Sequence, residues 1–230
     1  MHEEAVVSER RSFLARLNAA AMAALGLGGV AKAQAKPGAP ARWEPFRHEK
    51  DDWLELPGKH RMVFDTTNPE RLGEALLFTN NFLRVNRTDY GLEISDLAVV
   101  IVVRHRSAPF GFNEAMWAKY SEALAAHASY EDPKSRAVPK VNVYNSGDYG
   151  ELAPNRSTTL TGLAKQGVQF AVCANATRAV AGAIARSVGG SAEAIFADLT
   201  SNLVTNGRMV PAGIVCVNRA QERGYSLVGA

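Results

Sequence analysis

The chain has 230 residues, and 26 lysines and arginines stand against 23 aspartates and glutamates, giving a formal net charge of +3. This length suits one domain with a sizeable hydrophobic core once a short targeting segment is set aside. The balanced charge, without a basic stripe carrying interleaved aromatic residues, argues against nucleic-acid binding, and two cysteines are too few for a disulfide-stabilised scaffold.

Residues 1–35 have the pattern of an export signal. Arg10 and Arg11 precede a Phe-Leu pair, and a short, weakly hydrophobic run rich in Ala and Gly follows. A positive start, a short apolar run and small residues at the end are the parts of a signal peptide, and the arginine pair resembles a twin-arginine signal. We therefore expect cleavage after Ala33 or Ala35 and a periplasmic location. The alternatives are an uncleaved membrane anchor and a cytosolic protein with an amphipathic N-terminal helix.

The next predicted segment is an extended tail over residues 36–57, followed by an α/β domain over residues 58–230. The tail contains four prolines and two tryptophans among mixed charges. This composition favours an extended segment that packs on the body of the domain or on a neighbouring subunit.

The first half of the domain alternates between strand-like and helix-like patterns. A strand is predicted at residues 61–66, and Pro69 begins a helix whose apolar residues recur at helical spacing. The continuous apolar run Leu-Ala-Val-Val-Ile-Val-Val at 97–103 is typical of a central strand covered on both faces. A short helix is predicted from residue 113 to about residue 120.

The second half begins with a long loop and then resumes the alternation. Residues 128–155 are rich in Asn, Asp, Gly and Pro, with an extended stretch expected at 141–144, and loops of this length are often functional. After it, strands are predicted at 168–172, 209–210 and 225–228. Helices are predicted at 157–166, from the end of the 168–172 strand to 186, at 192–203 and at 214–223. The alternation predicts a three-layer α/β sandwich with a mostly parallel sheet.

Cys173 lies where a buried strand passes into a helix. The carboxyl ends of strands in an open α/β sheet are where ligands and chemistry are found, and the positive end of a helix favours a thiolate. Cys173 is therefore a candidate reactive thiol, with a small buried packing residue as the alternative. His105 follows the central strand and would emerge at the same edge. It is a candidate base, proton shuttle or metal ligand, or else a hydrogen-bonded loop histidine.

Two segments resemble the DsrE/DsrF-like sulfur-relay family. Residues 167–175, Gly-Val-Gln-Phe-Ala-Val-Cys-Ala-Asn, are similar to its G-V-x-F-x-V-C-x-N segment, and Val-Pro-Ala-Gly at 210–213 with Arg-Ala-Gln-Glu-Arg-Gly-Tyr at 219–225 resembles its C-terminal signature. Val-Val-Arg-His at 102–105 is similar to its second strand, which often ends in histidine. The resemblance extends over about residues 59–228. It implies a flavodoxin-like fold, a trimer or hexamer, and sulfur carried as a persulfide on the motif cysteine, Cys173, beside the motif's Asn175.

Further candidate site residues lie outside these motifs. Asn80, inside the first helix, is expected to hydrogen-bond into a pocket or across an interface, or simply to face solvent. Trp117 and Tyr120 belong to an aromatic segment, and they are expected to pack in the core or an interface or, alternatively, to stack on a ligand. Cys216 is interpreted as a packing residue, with a disulfide to Cys173 as the alternative.

The expected function is that of an exported protein that binds or relays sulfane sulfur through Cys173. Its partners would be a sulfur donor or acceptor protein or a small ligand, and an active protein would be a sulfur carrier or sulfurtransferase rather than a hydrolase or oxidoreductase. No cofactor and no metal site is expected, because no nucleotide-binding or metal-ligand spacing is present. The alternatives are a non-catalytic module that binds a small ligand and an oligomeric interaction protein in which Cys173 is structural.

Overall fold

The computed structural model describes residues 44–229, which form five β-strands and six α-helices. The strands are β1 (His60–Thr66), β2 (Leu97–Val103), β3 (Gln169–Cys173), β4 (Gly207–Val210) and β5 (Ser226–Gly229). The helices are α1 (Pro69–Thr88), α2 (Glu114–Ala128), α3 (Leu160–Ala164), α4 (Ala174–Val188), α5 (Ala192–Ser201) and α6 (Gly213–Gln221). Short 3-10 helices lie at Glu49–Leu54, Ile94–Asp96, His105–Gly111, Val143–Asn145 and Gly150–Leu152.

The five strands form one sheet in the order β4-β3-β2-β1-β5, and every neighbouring pair is parallel. From β1 to β4 the chain moves across the sheet in one direction, so right-handed connections place α1 to α5 on one face. The chain then returns past β1 to β5, which brings α6 to the opposite face. The predicted three-layer α/β sandwich is confirmed, and its architecture is flavodoxin-like.

Two hydrophobic cores lie on the two faces of the sheet. Side chains alternate along β3, where Val172 joins the large core under α1 to α5 and Ala171 joins a small core under α6. The small core also contains Leu54 from the 3-10 helix at Glu49–Leu54, and the hydroxyl of Tyr225 donates to the Leu54 carbonyl at 2.8 Å. The face under α6 is therefore the thinner side of the sandwich. No helix within residues 44–229 has the length and apolar character needed to cross a membrane.

Besides the tail predicted as extended, in which Glu49–Leu54 forms a 3-10 helix, three of the predicted elements differ from the structure. Helix α2 continues past Tyr120 to Ala128, although the backbone at Tyr120 is non-helical. The helix predicted at 157–166 is confined to Leu160–Ala164, because Arg156 and Ser157 have left-handed backbone angles, with φ of 42° and 65°.

The third difference lies in the long loop. The stretch predicted as extended at 141–144 is wrong, since Val143–Asn145 forms a 3-10 turn. This turn buries Val143 and Tyr144 in the large core, and that packing decides its conformation.

Buried hydrogen bonds hold the long loop in place. The Asn142 side-chain amide donates to the carbonyls of Phe110 and Phe112 at 3.0 Å each, and the Tyr144 hydroxyl donates to the Pro69 carbonyl at 2.6 Å. These bonds join side chains of the loop to backbone carbonyls of the turn after β2 and of the start of α1. Much of this loop is consequently part of the folded core. The predicted signal at 1–35, with Arg10 and Arg11, and the first part of the predicted tail lie outside the described residues.

Candidate functional site

Three adjacent strands end in polar or reactive side chains at the carboxyl edge of the sheet. Asp65 pairs with Val102 in the β1–β2 register, so Arg104 lies two positions farther along the same edge. Val103 pairs with Val172 in the β2–β3 register, which brings Arg104 alongside Cys173. Because side chains alternate along a strand, Asp65, Arg104 and Cys173 share the face that α6 covers.

Asp65 and Arg104 form a two-point ion pair. The Nε and Nη2 atoms of Arg104 lie 2.7 Å and 2.8 Å from the two carboxylate oxygens of Asp65. The side chains are only 16% and 25% exposed, so the geometry is better fixed than in most surface pairs. Hydrogen bonding to Asp65 raises the pKa of Arg104, against the opposing effect of burial. The guanidinium is thus a fixed positive charge beside the β3 end.

The turn after β2 is fixed by a small network of hydroxyl groups. Thr66 Oγ1 donates to the Val102 carbonyl at 2.8 Å, and Ser107 Oγ accepts from the Arg104 amide at 3.0 Å. The two hydroxyls lie 3.1 Å apart, and both residues are fully buried. His105 occupies this turn with a left-handed φ of 56° and an exposed side chain. The network therefore holds Arg104 over the sheet and directs His105 to solvent.

Cys173 ends β3 and is the residue immediately before helix α4. It is 6% exposed, and its carbonyl accepts a hydrogen bond from Thr177 Oγ1 at 3.0 Å, which secures the first turn of the helix. No side chain caps the free amides at this helix start. The positive end of α4 therefore lies at the cysteine itself.

Helix α6 begins beside the same group of residues. Cys173 pairs with Val210 in the β3–β4 register, and the chain turns from Val210 into α6 at Gly213. A Cβ on Gly213 would lie 2.8 Å from both Cβ and Cδ of Arg104, so the start of α6 packs directly on the arginine stem. The N-terminus of α6 also lacks a side-chain cap. The starts of two helices and one guanidinium thus converge on this edge.

The second cysteine belongs to the packing under α6. Cys216 is 3% exposed within the small core, and burial raises its pKa to about 12. Both Cys173 and Cys216 are free thiols, so no disulfide joins them. The interpretation of Cys216 as a packing residue agrees with this position.

His105 shares the carboxyl edge with Cys173, as the parallel sheet requires. Its carbonyl lies 3.3 Å from Nε2 of His127, a half-buried residue of α2. Burial lowers the pKa of His127. Asn175 is exposed in the first turn of α4, two residues after Cys173. Of the predicted site residues, His105 and Asn175 are the ones that lie at the Cys173 edge.

The other predicted site residues lie elsewhere in the fold. Trp117 is fully buried, and its indole Nε1 donates to the Pro109 carbonyl at 3.1 Å, so it occupies the packing position considered in the sequence analysis. The Tyr120 hydroxyl donates to Asp198 at 2.9 Å, which links α2 to α5. Asn80 is half-buried on α1 and lines two polar cavities of about 490 and 310 Å³.

Sequence reasoning missed the Asp65–Arg104 pair. In the sequence, Arg104 appears only within the Val-Val-Arg-His motif at 102–105, and Asp65 only within the strand predicted at 61–66. The signal was nonetheless present, because each residue lies at the end of a predicted strand. If the two strands are adjacent and parallel, the opposite charges of Asp65 and Arg104 lie side by side at one edge of the sheet.

Residues 44–229 contain no group of three His, Cys, Asp or Glu side chains that could hold a metal ion. Comparisons of the chain with models of protein families, with curated proteins and with solved structures found no match. The class of the molecule is therefore defined by its fold and by the side chains at the carboxyl edge of its sheet. It is a flavodoxin-like parallel sandwich in which a cysteine, an arginine and two helix starts meet at the carboxyl ends of the strands.

Proposed function

We propose that the chain binds or relays sulfane sulfur through Cys173, the role implied by its resemblance to the DsrE/DsrF-like family. One observation carries the proposal: Cys173 ends β3 alongside the ion-paired Arg104 and at the uncapped start of α4. A guanidinium and helix amides both favour negative charge on sulfur. A persulfide is an anion near neutral pH, and this edge supplies the charges that stabilise an anion.

The proposed reaction moves one sulfur atom without net oxidation. The Cys173 thiolate attacks the outer sulfur of a donor persulfide, a new S–S bond forms, and the S–S bond of the donor breaks. The donor leaves as a thiolate and takes up a proton. Attack by an acceptor thiolate on the outer sulfur of the Cys173 persulfide reverses these steps. The proposal assigns proton transfer at this edge to His105 and contact with the donor to Asn175.

The low exposure of Cys173 restricts the donors that this proposal favours. Only 6% of the residue reaches solvent, so a bulky protein persulfide approaches the sulfur less readily than a small polysulfide ion does. We therefore expect inorganic polysulfide to load Cys173 faster than a protein donor at the same concentration of sulfane sulfur.

Intact-mass spectrometry after incubation with polysulfide tests the proposal. The wild-type chain and Cys216→Ala should gain increments of one sulfur atom, and Cys173→Ala should gain none. Cys216 is the matched control, because it is a second buried thiol on the same face of the sheet. Equal loading of Cys173→Ala and the wild-type chain would end the assignment.

The periplasmic location is proposed on the sequence pattern of residues 1–35. Replacement of Arg10 and Arg11 by lysine should block export through a twin-arginine route, with fractionation of cells as the measurement. A chain exported equally well with two lysines would contradict this route. Export of a folded chain would suit a protein that assembles as an oligomer before it crosses the membrane.

A second candidate function is a non-catalytic module that binds a small ligand. A cavity of about 730 Å³ favours it, because the long loop at 128–155 supplies much of the cavity wall. Cavities of this size are typical of small-molecule sites. Cys173 is not among the residues that line this cavity. Binding there and sulfur transfer at Cys173 are therefore separable by experiment.

A further inference from the structure

The cavity of about 730 Å³ lies where the long loop meets the start of α1 and the middle of α2. Ala125 and Val138 contribute apolar wall. Tyr130 is the half-buried aromatic residue of the wall, and the ring of the fully buried Tyr144 lies 6.1 Å from it. Leu152 is largely exposed at the same cavity. The interior thus offers apolar and aromatic surface to a ligand of moderate size.

The aromatic wall is preformed. The Tyr130 amide donates to the Ala125 carbonyl at 3.0 Å, which fixes the chain directly after α2. The Tyr130 ring packs edge-on against Phe110 at 5.2 Å, and the Tyr144 hydroxyl is bound to the Pro69 carbonyl. A wall held in this way loses little conformational entropy when a ligand binds.

Charged side chains around the cavity are mainly acidic. Glu70, Glu122 and Glu131 line it, and Arg136 is the one basic residue among the described lining residues. Arg136 lies 3.6 Å from Glu131, so its charge is already compensated. Glu122 lies 3.3 Å from Lys140, so its charge is compensated as well.

Glu70 supplies the negative charge that remains. Within residues 44–229 it forms no ion pair, and it lies at the start of α1 beside the aromatic wall. Burial raises the pKa of Tyr130 to about 12, and the carboxylates of Asp132 and Glu70 act in the same direction. Glu70 is therefore the uncompensated carboxylate at the cavity wall that Tyr130 also lines.

We propose that this cavity binds an organic cation, an ammonium or quaternary ammonium group carried on an apolar body. The π face of a tyrosine and a nearby carboxylate both attract such a group, and the apolar wall accepts the rest of the ligand. An anion would meet the uncompensated carboxylate of Glu70, and the one arginine among the described lining residues is already paired with Glu131. This inference rests on the ligand-binding role proposed for the cavity and is independent of sulfur chemistry at Cys173.

Calorimetric titration of the exported chain with matched probes tests the inference. Choline and benzyltrimethylammonium are the cations, and 3,3-dimethylbutanol has the shape of choline without its charge. We expect at least one cation to bind at millimolar concentration, and choline to bind about tenfold more tightly than its neutral counterpart. Glu70→Gln should weaken binding of the cation severalfold and leave the neutral probe unchanged. Arg84→Gln, which alters a different cavity, should change neither.

The outcomes separate the cation inference from the binding role. Equal affinity for choline and 3,3-dimethylbutanol, or cation binding unaffected by Glu70→Gln, would overturn the cation inference and leave a ligand-binding cavity. Absence of binding by every probe at millimolar concentration would overturn both. Thermal melting of each variant checks that the fold is retained.

Discussion

The Asp65 carboxylate offsets part of the electrostatic effect of Arg104 on Cys173, because it is paired with the same guanidinium at two atoms. The arginine favours a thiolate at the β3 end, and the carboxylate opposes it. The proposed reactivity of Cys173 therefore depends on the balance between these two neighbours. Each neighbour can be replaced on its own, and the two substitutions should change the reactivity of Cys173 in opposite directions.

Alkylation of Cys173 by iodoacetamide measures this balance in a Cys216→Ala background. Arg104→Met keeps the stem that packs under Gly213 and removes the charge, so the rate should fall by about three- to tenfold. Asp65→Asn removes the opposing carboxylate, so the rate should rise. Two variants that react at the parental rate would show that the ion pair does not act on the thiol.

The lowered pKa of His127 predicts that the stability of the chain depends on pH. Burial lowers its pKa in the folded chain, so the unfolded chain takes up a proton first as the pH falls below about 6.5. The stability that depends on neutral His127 is thus complete above that pH and is lost below it. Between about pH 7.5 and pH 5, urea unfolding should show a larger loss in the free energy of unfolding for the wild-type chain than for His127→Gln. Equal losses would contradict this role.

Residues at strand ends were the most predictable part of the site. The apolar runs located the ends of β2 and β3, and the parallel sheet then placed His105 and Cys173 at one edge. Trp117 could not be assigned in the same way, because its spacing predicts packing in the core or an interface but also fits a ligand pocket. Which of these it occupies depends on Pro109, whose carbonyl accepts its indole proton.

At the scale of elements, the first turn of α6 holds the site together. Gly213 allows the helix to approach Arg104 so closely that a Cβ at this position would also lie 3.0 Å from Cγ1 of Val102. A Cβ at this position would therefore force the aliphatic part of the Arg104 side chain to move. The position of α6 and the position of Arg104 are therefore coupled.

Replacing Gly213 with alanine tests this coupling. Overpacking should lower the free energy of unfolding by about 1–3 kcal/mol, and it should also change the alkylation rate of Cys173. Gly182→Ala in α4 is the matched control, because its Cβ would meet only Arg186 Nη1 at 3.5 Å. Alanine in a helix interior should raise stability there by about 0.5–1 kcal/mol. Urea unfolding measures both, and similar effects of the two substitutions would contradict the coupling.

Secondary-structure elements were predictable where the hydrophobic pattern of the sequence was long and uniform. Strand β2 matches its predicted bounds, because a run of seven consecutive apolar residues is stable only where all of them are buried. The helix predicted at 157–166 was too long, because the left-handed backbone at Arg156 and Ser157 has no sequence signal such as glycine. The fold of the long loop was also hidden from the sequence. It depends on distant partners, such as the carbonyls that accept from Asn142.

At the scale of the whole molecule, the thin side of the sandwich leaves apolar side chains exposed. Ile214 and Val215 in the first turn of α6 are 57% and 45% exposed, and Leu227 on the edge strand β5 is 43% exposed. The register of Leu227 with Val63 places it on the α6 face. A second copy of the chain would cover this surface, in line with the proposed homo-oligomer.

Sedimentation analysis tests the proposed assembly. Ile214→Lys should reduce a trimer or hexamer to smaller species, because a charge at the covered surface has no partner. Val188→Lys is the control, since Val188 is 67% exposed at the end of α4 and outside this surface. A wild-type chain that sediments as a monomer would contradict the proposed oligomer.

The central claim is that Cys173 carries sulfur in the protein as cells produce it. The most direct measurement is peptide mapping of the protein purified from cells after rapid alkylation of its thiols. We expect a fraction of Cys173 as alkylated persulfide, one sulfur heavier than the alkylated thiol, and Cys216 without the additional sulfur. Cys173 found only as a plain thiol, or joined to Cys216 in a disulfide, would contradict the proposed role.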